Sequence, residues 1–245
     1  TAAASASEAS GAIDAVIVAT VATEPLIIAS QLPASVAVAM AAVVAGRVEP
    51  DSMRRVNATA QRKLASTLRS LPRDVAQAVS REMLRSPAPG DAGRSRMIGR
   101  IEAAFDGGRQ RAVNATRTES LDAQRAAASA VHNANEDLVG GWRWACNLDV
   151  RVCPACLAMH GTTYELTESG PMGHQQCRCA RCVTVRGWRE LGYEMDEPAD
   201  VFPDARAWFE DLSDSGQTAI MGARRLQLLR TGAIGWDDIP VLRAN

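Results

Sequence analysis

Residues 140–185 read GGWRWACNLDVRVCPACLAMHGTTYELTESGPMGHQQCRCARCVTV, and this stretch decides the fold class. Helical periodicity precedes it. Within it, residues 142–148, 162–165 and 182–185 alternate apolar and polar side chains over short runs, the pattern of half-buried strands. All six cysteines fall inside 37 positions, Cys146, Cys153, Cys156, Cys177, Cys179 and Cys182, with His160 and His174 among them. Cys153-Pro-Ala-Cys156 is a C-x2-C knuckle, whose tight turn lets two thiolates reach one tetrahedral ion at about 2.3 Å. His174-Gln-Gln-Cys177-Arg-Cys179 supplies a second donor group, and the two together predict a structural zinc site. Donors outnumber the positions around one ion. The expected ligands are Cys153, Cys156 and Cys177 with either His174 or Cys179. Cys182 can replace a donor of the second group, and Cys146 reads as a strand core residue. Disulfides or buried thiols are the alternatives; the C-x2-C spacing and the interposed His174 favour metal.

Working outward, the region before the module is helical. Met53, Val56, Ala60, Leu64, Leu68 and Leu71 recur at helical spacing and define one buried stripe, with Arg55, Arg62 and Arg69 on a solvated face. Asp51 or Ser52 is the expected N-cap, and Leu71-Pro72-Arg73-Asp74 is expected to break the helix before a second one ending at Leu84. Ser86-Pro-Ala-Pro-Gly90 reads as a linker. A long helical pattern then runs from about Ser95 to about Asn135, weakest at Gly107-Gly108. Its large apolar residues are few among Ala and Arg, which suits close helix–helix approach. The fold class expected is mainly α. An elongated helical part (1–137, apolar to 46 and basic over 47–119) precedes a small α+β Cys-rich, zinc-knuckle-like module (138–190). An acidic tail with a helix around 222–230 closes the chain (191–245).

The net charge of −1 hides a gradient. Residues 1–46 hold three acids and no base; residues 47–119 hold 15 basic and 8 acidic residues, a balance of +7; residues 186–245 hold 7 basic and 11 acidic, a balance of −4. Lys63 is the sole lysine, so the basic stretch presents guanidinium groups, suited to bidentate contacts with phosphate or carboxylate. The apolar runs 12–22 and 36–46 are too short to span a bilayer, and Glu24, Pro25 and Pro33 are expected to interrupt the longer stretch. Buried helices or a partner-binding surface are expected there instead. No positive segment precedes them, as a secretory leader would require. Thr1 in first position is expected from processing or from a longer parent chain.

The module also resembles a known family. Trp144 to Asp149, Arg151-Val-Cys153-Pro-Ala-Cys156, His160-Gly161 and His174-Gln-Gln-Cys177-Arg-Cys179 are similar to the pattern W…D-x-R-x-C-P-x-C…G…H-P-x-C-R-C of Mu F-like minor head proteins of tailed bacteriophages. Upstream, Arg117-Thr118-Glu119 resembles that family's Arg-Thr-Glu helix segment. Downstream, Trp208-Phe-Glu-Asp-Leu212, Gln217, Ile220-Met-Gly222, Leu229, Gly232 and Asp237-Asp-Ile239 resemble its closing element. The likeness covers about residues 112–239 in three ordered pieces. Gln175 stands where proline is usual, Val152 where threonine is common, and Cys146 and Cys182 are additions.

The resemblance implies a structural, non-enzymatic minor capsid protein that works in head morphogenesis. It would be attached to the portal protein on the head interior, present in few copies, with departure alongside the DNA as one option. Contacts with major capsid or scaffold protein, and with packaged double-stranded DNA through the arginine-rich helices, belong to the same expectation. Its location would be the virion, after assembly in the host cytoplasm. Two other functions compete: a nucleic-acid-binding zinc module with Arg178 and Arg181 as contacts, and an enzyme, either a head maturation protease or an Arg-Thr-Glu-based transferase; separately, Cys156 and His160 could act as nucleophile and base. His132 reads as a satisfied or solvated histidine.

Overall fold

A computed structural model describes residues 2–84, 91–171 and 174–240. The elements are α1 (Ala2–Ser30), α2 (Ala34–Gly46), α3 (Pro50–Leu84), α4 (Asp91–Asn133), β1 (Val139–Ala145), α5 (Pro154–Met159), β2 (Thr163–Glu165), β3 (Ala180–Val185), α6 (Ala205–Glu210), α7 (Asp214–Met221), α8 (Ala223–Arg230) and a 3-10 turn (Trp236–Asp238). The fold is mainly α with one small antiparallel sheet, as the sequence predicts. The expected linker at Ser86–Gly90 lies outside the described residues. Contacts divide the chain into two compact units. One comprises Thr1–Thr20, Pro50–Ala127 and His174–Cys177; the other comprises Val21–Glu49, Ala128–Gly173 and Arg178–Asn245.

The first unit is built from three helical segments. Ala60 and Leu64 are buried and the rest of the predicted stripe is half-buried, while Arg55, Arg62 and Arg69 are exposed. The Gln61 amide donates to the Ser10 carbonyl at 3.1 Å and so ties α3 to α1. Two expectations need correction here. α3 begins at Pro50 rather than after an Asp51 or Ser52 cap, because a proline at the first helical position lacks only an N–H the helix does not use. It also runs through Pro72 without ending, since an internal proline removes one donor and can kink a helix that good helix formers sustain on both sides. α4 likewise continues through Gly107-Gly108. Gly108 is buried against α3, where a Cβ would lie 2.5 Å from Val75 Cγ2, so its missing side chain permits the close approach.

The second unit places a sheet of order β2-β1-β3 against helical segments. Ile28, Val44, Val131, Val139 and Val183 form its core. β1 starts at Val139, three residues before the predicted run, because a register shift between Val139 and Gly141 absorbs the Gly140-Gly141 pair that reads as a boundary. At Gly141 a Cβ would meet the Tyr164 carbonyl oxygen at 2.4 Å, so only glycine lets β2 pair there. The outer edge of β3 is closed by one side chain: the Gln31 amide donates to Val183 O at 3.0 Å and accepts from Val185 N–H at 3.1 Å, as a neighbouring strand would.

α1 runs through Glu24 and Pro25, contrary to the interruption expected there. Residues Ala9–Ser30 are therefore long and apolar enough to cross a membrane by length and composition. In this structure Ile28 and Ala29 are core residues and Glu24 is buried and paired. Pro33 does interrupt, at the N-terminus of α2.

The tail holds more helix than periodicity reveals. α8 fits the predicted helix, but α6 and α7 span only six and eight residues, too short for a period to register, and are started by caps instead. Asp204 accepts from the N–H groups of Arg206 and Ala207, and Ser213 accepts from Gly216 N–H. The Gln217 amide donates to the carbonyls of Phe209, Glu210 and Leu212, and Gly222, at φ 72°, turns the chain between α7 and α8.

Candidate metal centre

Cys153 ends an extended segment and caps α5: its Sγ accepts the Cys156 N–H at 3.3 Å, while Pro154 enters the first turn without an N–H to satisfy. The cap brings the sulfurs of Cys153 and Cys156 within 4.8 Å of each other. Cys179, just before β3, also puts its sulfur within 4.8 Å of that of Cys156. In a tetrahedral zinc site with 2.3 Å bonds, sulfurs are about 3.8 Å apart, so both spacings are within a small rotamer adjustment of coordination. Cys156 and Cys179 are buried, and all six cysteines are thiols rather than half-cystines. Sulfur donors this close together could hold a metal ion.

His174 and Cys177 belong to the segment His174–Cys177, grouped with the first unit. Cys177 N–H donates to His174 O at 3.0 Å, closing a turn, and Gln176 in its third position has φ 59°. Positive φ at that position alone is the mark of a type II turn, whose second position favours proline. Gln175 occupies the second position. Gln175→Pro is therefore expected to stabilise the chain by about 0.4–1 kcal/mol, by restricting the unfolded state. A higher urea midpoint at unchanged slope checks it. The His174 ring donates from Nδ1 to the Gln175 carbonyl at 2.7 Å. α4 anchors the turn: Thr118 Oγ1 accepts from Gln176 N–H at 3.0 Å, and Arg125, itself paired to Asp122, donates to the Cys177 carbonyl. Of Arg117-Thr118-Glu119, then, the threonine supports the cysteine turn. Burial raises the pKa of Glu119, partly offset by Lys63.

Cys146 and Cys182 stand apart from these donors. Cys146 follows β1, buried, with its N–H donating to His160 Nδ1 at 2.9 Å. Cys182 lies within β3 opposite Arg143, and burial pushes its thiol pKa up. His160 caps the end of α5 and stacks on Phe202 at 4.7 Å. Burial lowers its pKa, and Nδ1 is already an acceptor for the backbone. A Cys156–His160 nucleophile pair would have to draw on a ring nitrogen that already accepts the Cys146 N–H.

Arg178 and Arg181, the expected nucleic-acid contacts, are both paired with groups of the fold, Arg178 partly exposed and Arg181 buried. Arg178 grips Asp149 with two bonds of 2.6 and 2.7 Å. Its side-chain hydrogen bonds hold the Asp149 carboxyl well below the usual carboxylate range. A depressed carboxylate stabilises the fold above its unfolded pKa of about 3.9, and loses that contribution as pH falls through the folded value. Asp149→Asn should thus cost about 1 kcal/mol at pH 7, modest because the pair is partly exposed, with most of the difference kept at pH 4. Urea unfolding of both proteins at the two pH values measures it.

Arg181 is 3% exposed. Its two terminal nitrogens donate to the Glu168 and Leu166 carbonyls at 2.8 Å each, its plane lies 4.5 Å from the Trp142 ring centre, and Nε donates to His132 Nδ1 at 3.3 Å. That bond makes Nδ1 the acceptor, so Nε2 carries the proton and donates to Glu24 at 2.8 Å. Burial lowers the Arg181 pKa to about 10. Sequence reasoning missed this trio, although an acid inside an apolar run signals a buried charge that must find a partner. It also missed the Asp149–Arg178 pair, although both residues stand in the quoted pattern.

A family model described as Phage Mu protein F like protein matches residues 53–182, more than half of the chain. The chain belongs to that family. The match takes in the metal donors, Asp149, Arg178 and all of the sheet strands but the end of β3. For this Mu F-like chain the likeness begins at residue 53, well before the expected 112, and ends short of the closing element at 208–239. No significant match was found among curated proteins or among solved structures.

Proposed function

We propose that this Mu F-like chain is a structural protein of phage head morphogenesis, mounted at the portal on the head interior, with a zinc ion holding its cysteine module together. Membership of the family carries the reading. The donor chemistry supports the metal: Cys153, Cys156 and Cys179 cluster, and Cys177, two residues from Cys179, can be no more than about 7 Å from it along the chain. Four of Cys153, Cys156, His174, Cys177 and Cys179 would complete the coordination. Zinc bound there would supply folding free energy to the module. Exposed arginines of α3, such as Arg55 and Arg62, fit non-specific contact with packaged DNA, which would be salt-sensitive through counterion release. The His160 ring nitrogen that accepts the Cys146 N–H supports a role without catalysis.

Head particles assembled with and without portal test the reading. The chain is expected to sediment with portal-containing heads and to be absent from portal-less shells. Equal amounts in both, or absence from both, would overturn portal attachment.

A further inference from the structure

Beyond this reading, the first unit carries a surface that no other described residue covers. α1, α3 and α4 surround a groove of about 1520 Å³. Leu68, Leu71, Val75 and Val79 of α3 follow one helical stripe along it and are only half-buried, while Val113 of α4 lines the opposite wall and Phe105 is 59% exposed. The space exceeds the roughly 300–1,000 Å³ of small-molecule sites. It equals about three and a half turns of a cylinder 10 Å across, the size of a short helix. Three helices with an open apolar seam lack the fourth that would close a bundle.

Charge identifies the occupant. Arg69, Arg109 and Arg117 line the groove, and no acidic residue does. Arg109 has only a long, exposed contact with Asp106 at 3.7 Å, and among the described residues Arg69 and Arg117 form no ion pair. We propose that this groove seats an amphipathic helix of a second protein, its apolar stripe on Leu68–Val79 and its flanking carboxylates on the three arginines. The inference does not depend on the metal.

Two labelled peptides of about 18 residues, long enough to hold helix, test it with the full chain. Both carry leucine at helical spacing; one has glutamate flanks and the other lysine flanks. Fluorescence anisotropy should show the glutamate peptide binding at least ~10-fold tighter, with the advantage shrinking in salt. Phe105→Asp should abolish binding, and reversing Arg69, Arg109 and Arg117 together to Glu should invert the preference; all four side chains are exposed, and circular dichroism confirms the fold. Equal affinity for the two peptides, or no binding of either, overturns the proposal. So does a dimer in sedimentation that Phe105→Asp dissolves, which would make a second copy of this chain the occupant.

Discussion

Cys156→Ser is expected to strip the chain of bound zinc and to unfold the module around it. Cys156 is the donor common to both close sulfur pairs, with Cys153 and with Cys179. Removing it leaves either pair without a partner, whereas loss of Cys182 or Cys146 leaves both intact. Structural zinc contributes about 10–16 kcal/mol in small finger peptides, which is comparable to the whole net stability of a domain, about 5–15 kcal/mol. Wild-type protein should carry about one zinc, by elemental analysis after gentle purification. The variant should carry almost none and lose several kcal/mol of stability. Trp142 and Trp144 report the module by fluorescence, while circular dichroism follows the long helices, so the first signal should collapse before the second. Strong chelator on wild-type protein should reproduce the result. A metal-free wild-type chain that unfolds identically in chelator would sink the zinc reading while leaving family membership untouched.

Arg181→Met should have the next largest effect, a loss of about 3–5 kcal/mol. Methionine fills much of the same space but donates nothing. The Leu166 carbonyl would lose its Arg181 donor, the Glu168 carbonyl would keep only the Trp142 indole N–H, and Glu24, linked to Arg181 through His132, would lose its only nearby cation in the trio. Adding Glu24→Gln in the same chain should recover part of the loss, because it removes the unpaired charge that the first change creates. Urea unfolding of the single and double variants measures the coupling. If Arg181→Met alone costs less than about 1 kcal/mol, the trio is not a stabilising unit.

The parts of the fold legible in the sequence are those whose cause is local. The stripe from Met53 to Leu71 shows in three- and four-residue steps, and the strands show as alternation around Trp142, Tyr164 and Val183. Cys153-Pro-Ala-Cys156 shows as a knuckle because two donors on one tight turn need nothing from elsewhere in the chain. Element ends were less legible where a local rule met a compensating contact. Pro72 and Pro25 read as breaks, yet both helices continue. Gly140-Gly141 read as a boundary, yet the glycines enter β1 because the Tyr164 carbonyl comes too close for any side chain.

By itself, then, the sequence determined the helical region and the small sheet, and it named the candidate donors, since spacing and residue type act over a few positions. Tertiary structure alone decided which polar groups are spent inside the fold. Arg178 and Arg181 look like ligands for phosphate until Asp149, His132 and Glu24 arrive from positions 29 to 157 residues away. His160 looks like a base until the Cys146 N–H takes its nitrogen. Charge and hydrogen-bonding capacity are set by composition, but whether they face solvent or each other depends on which distant segments pack together.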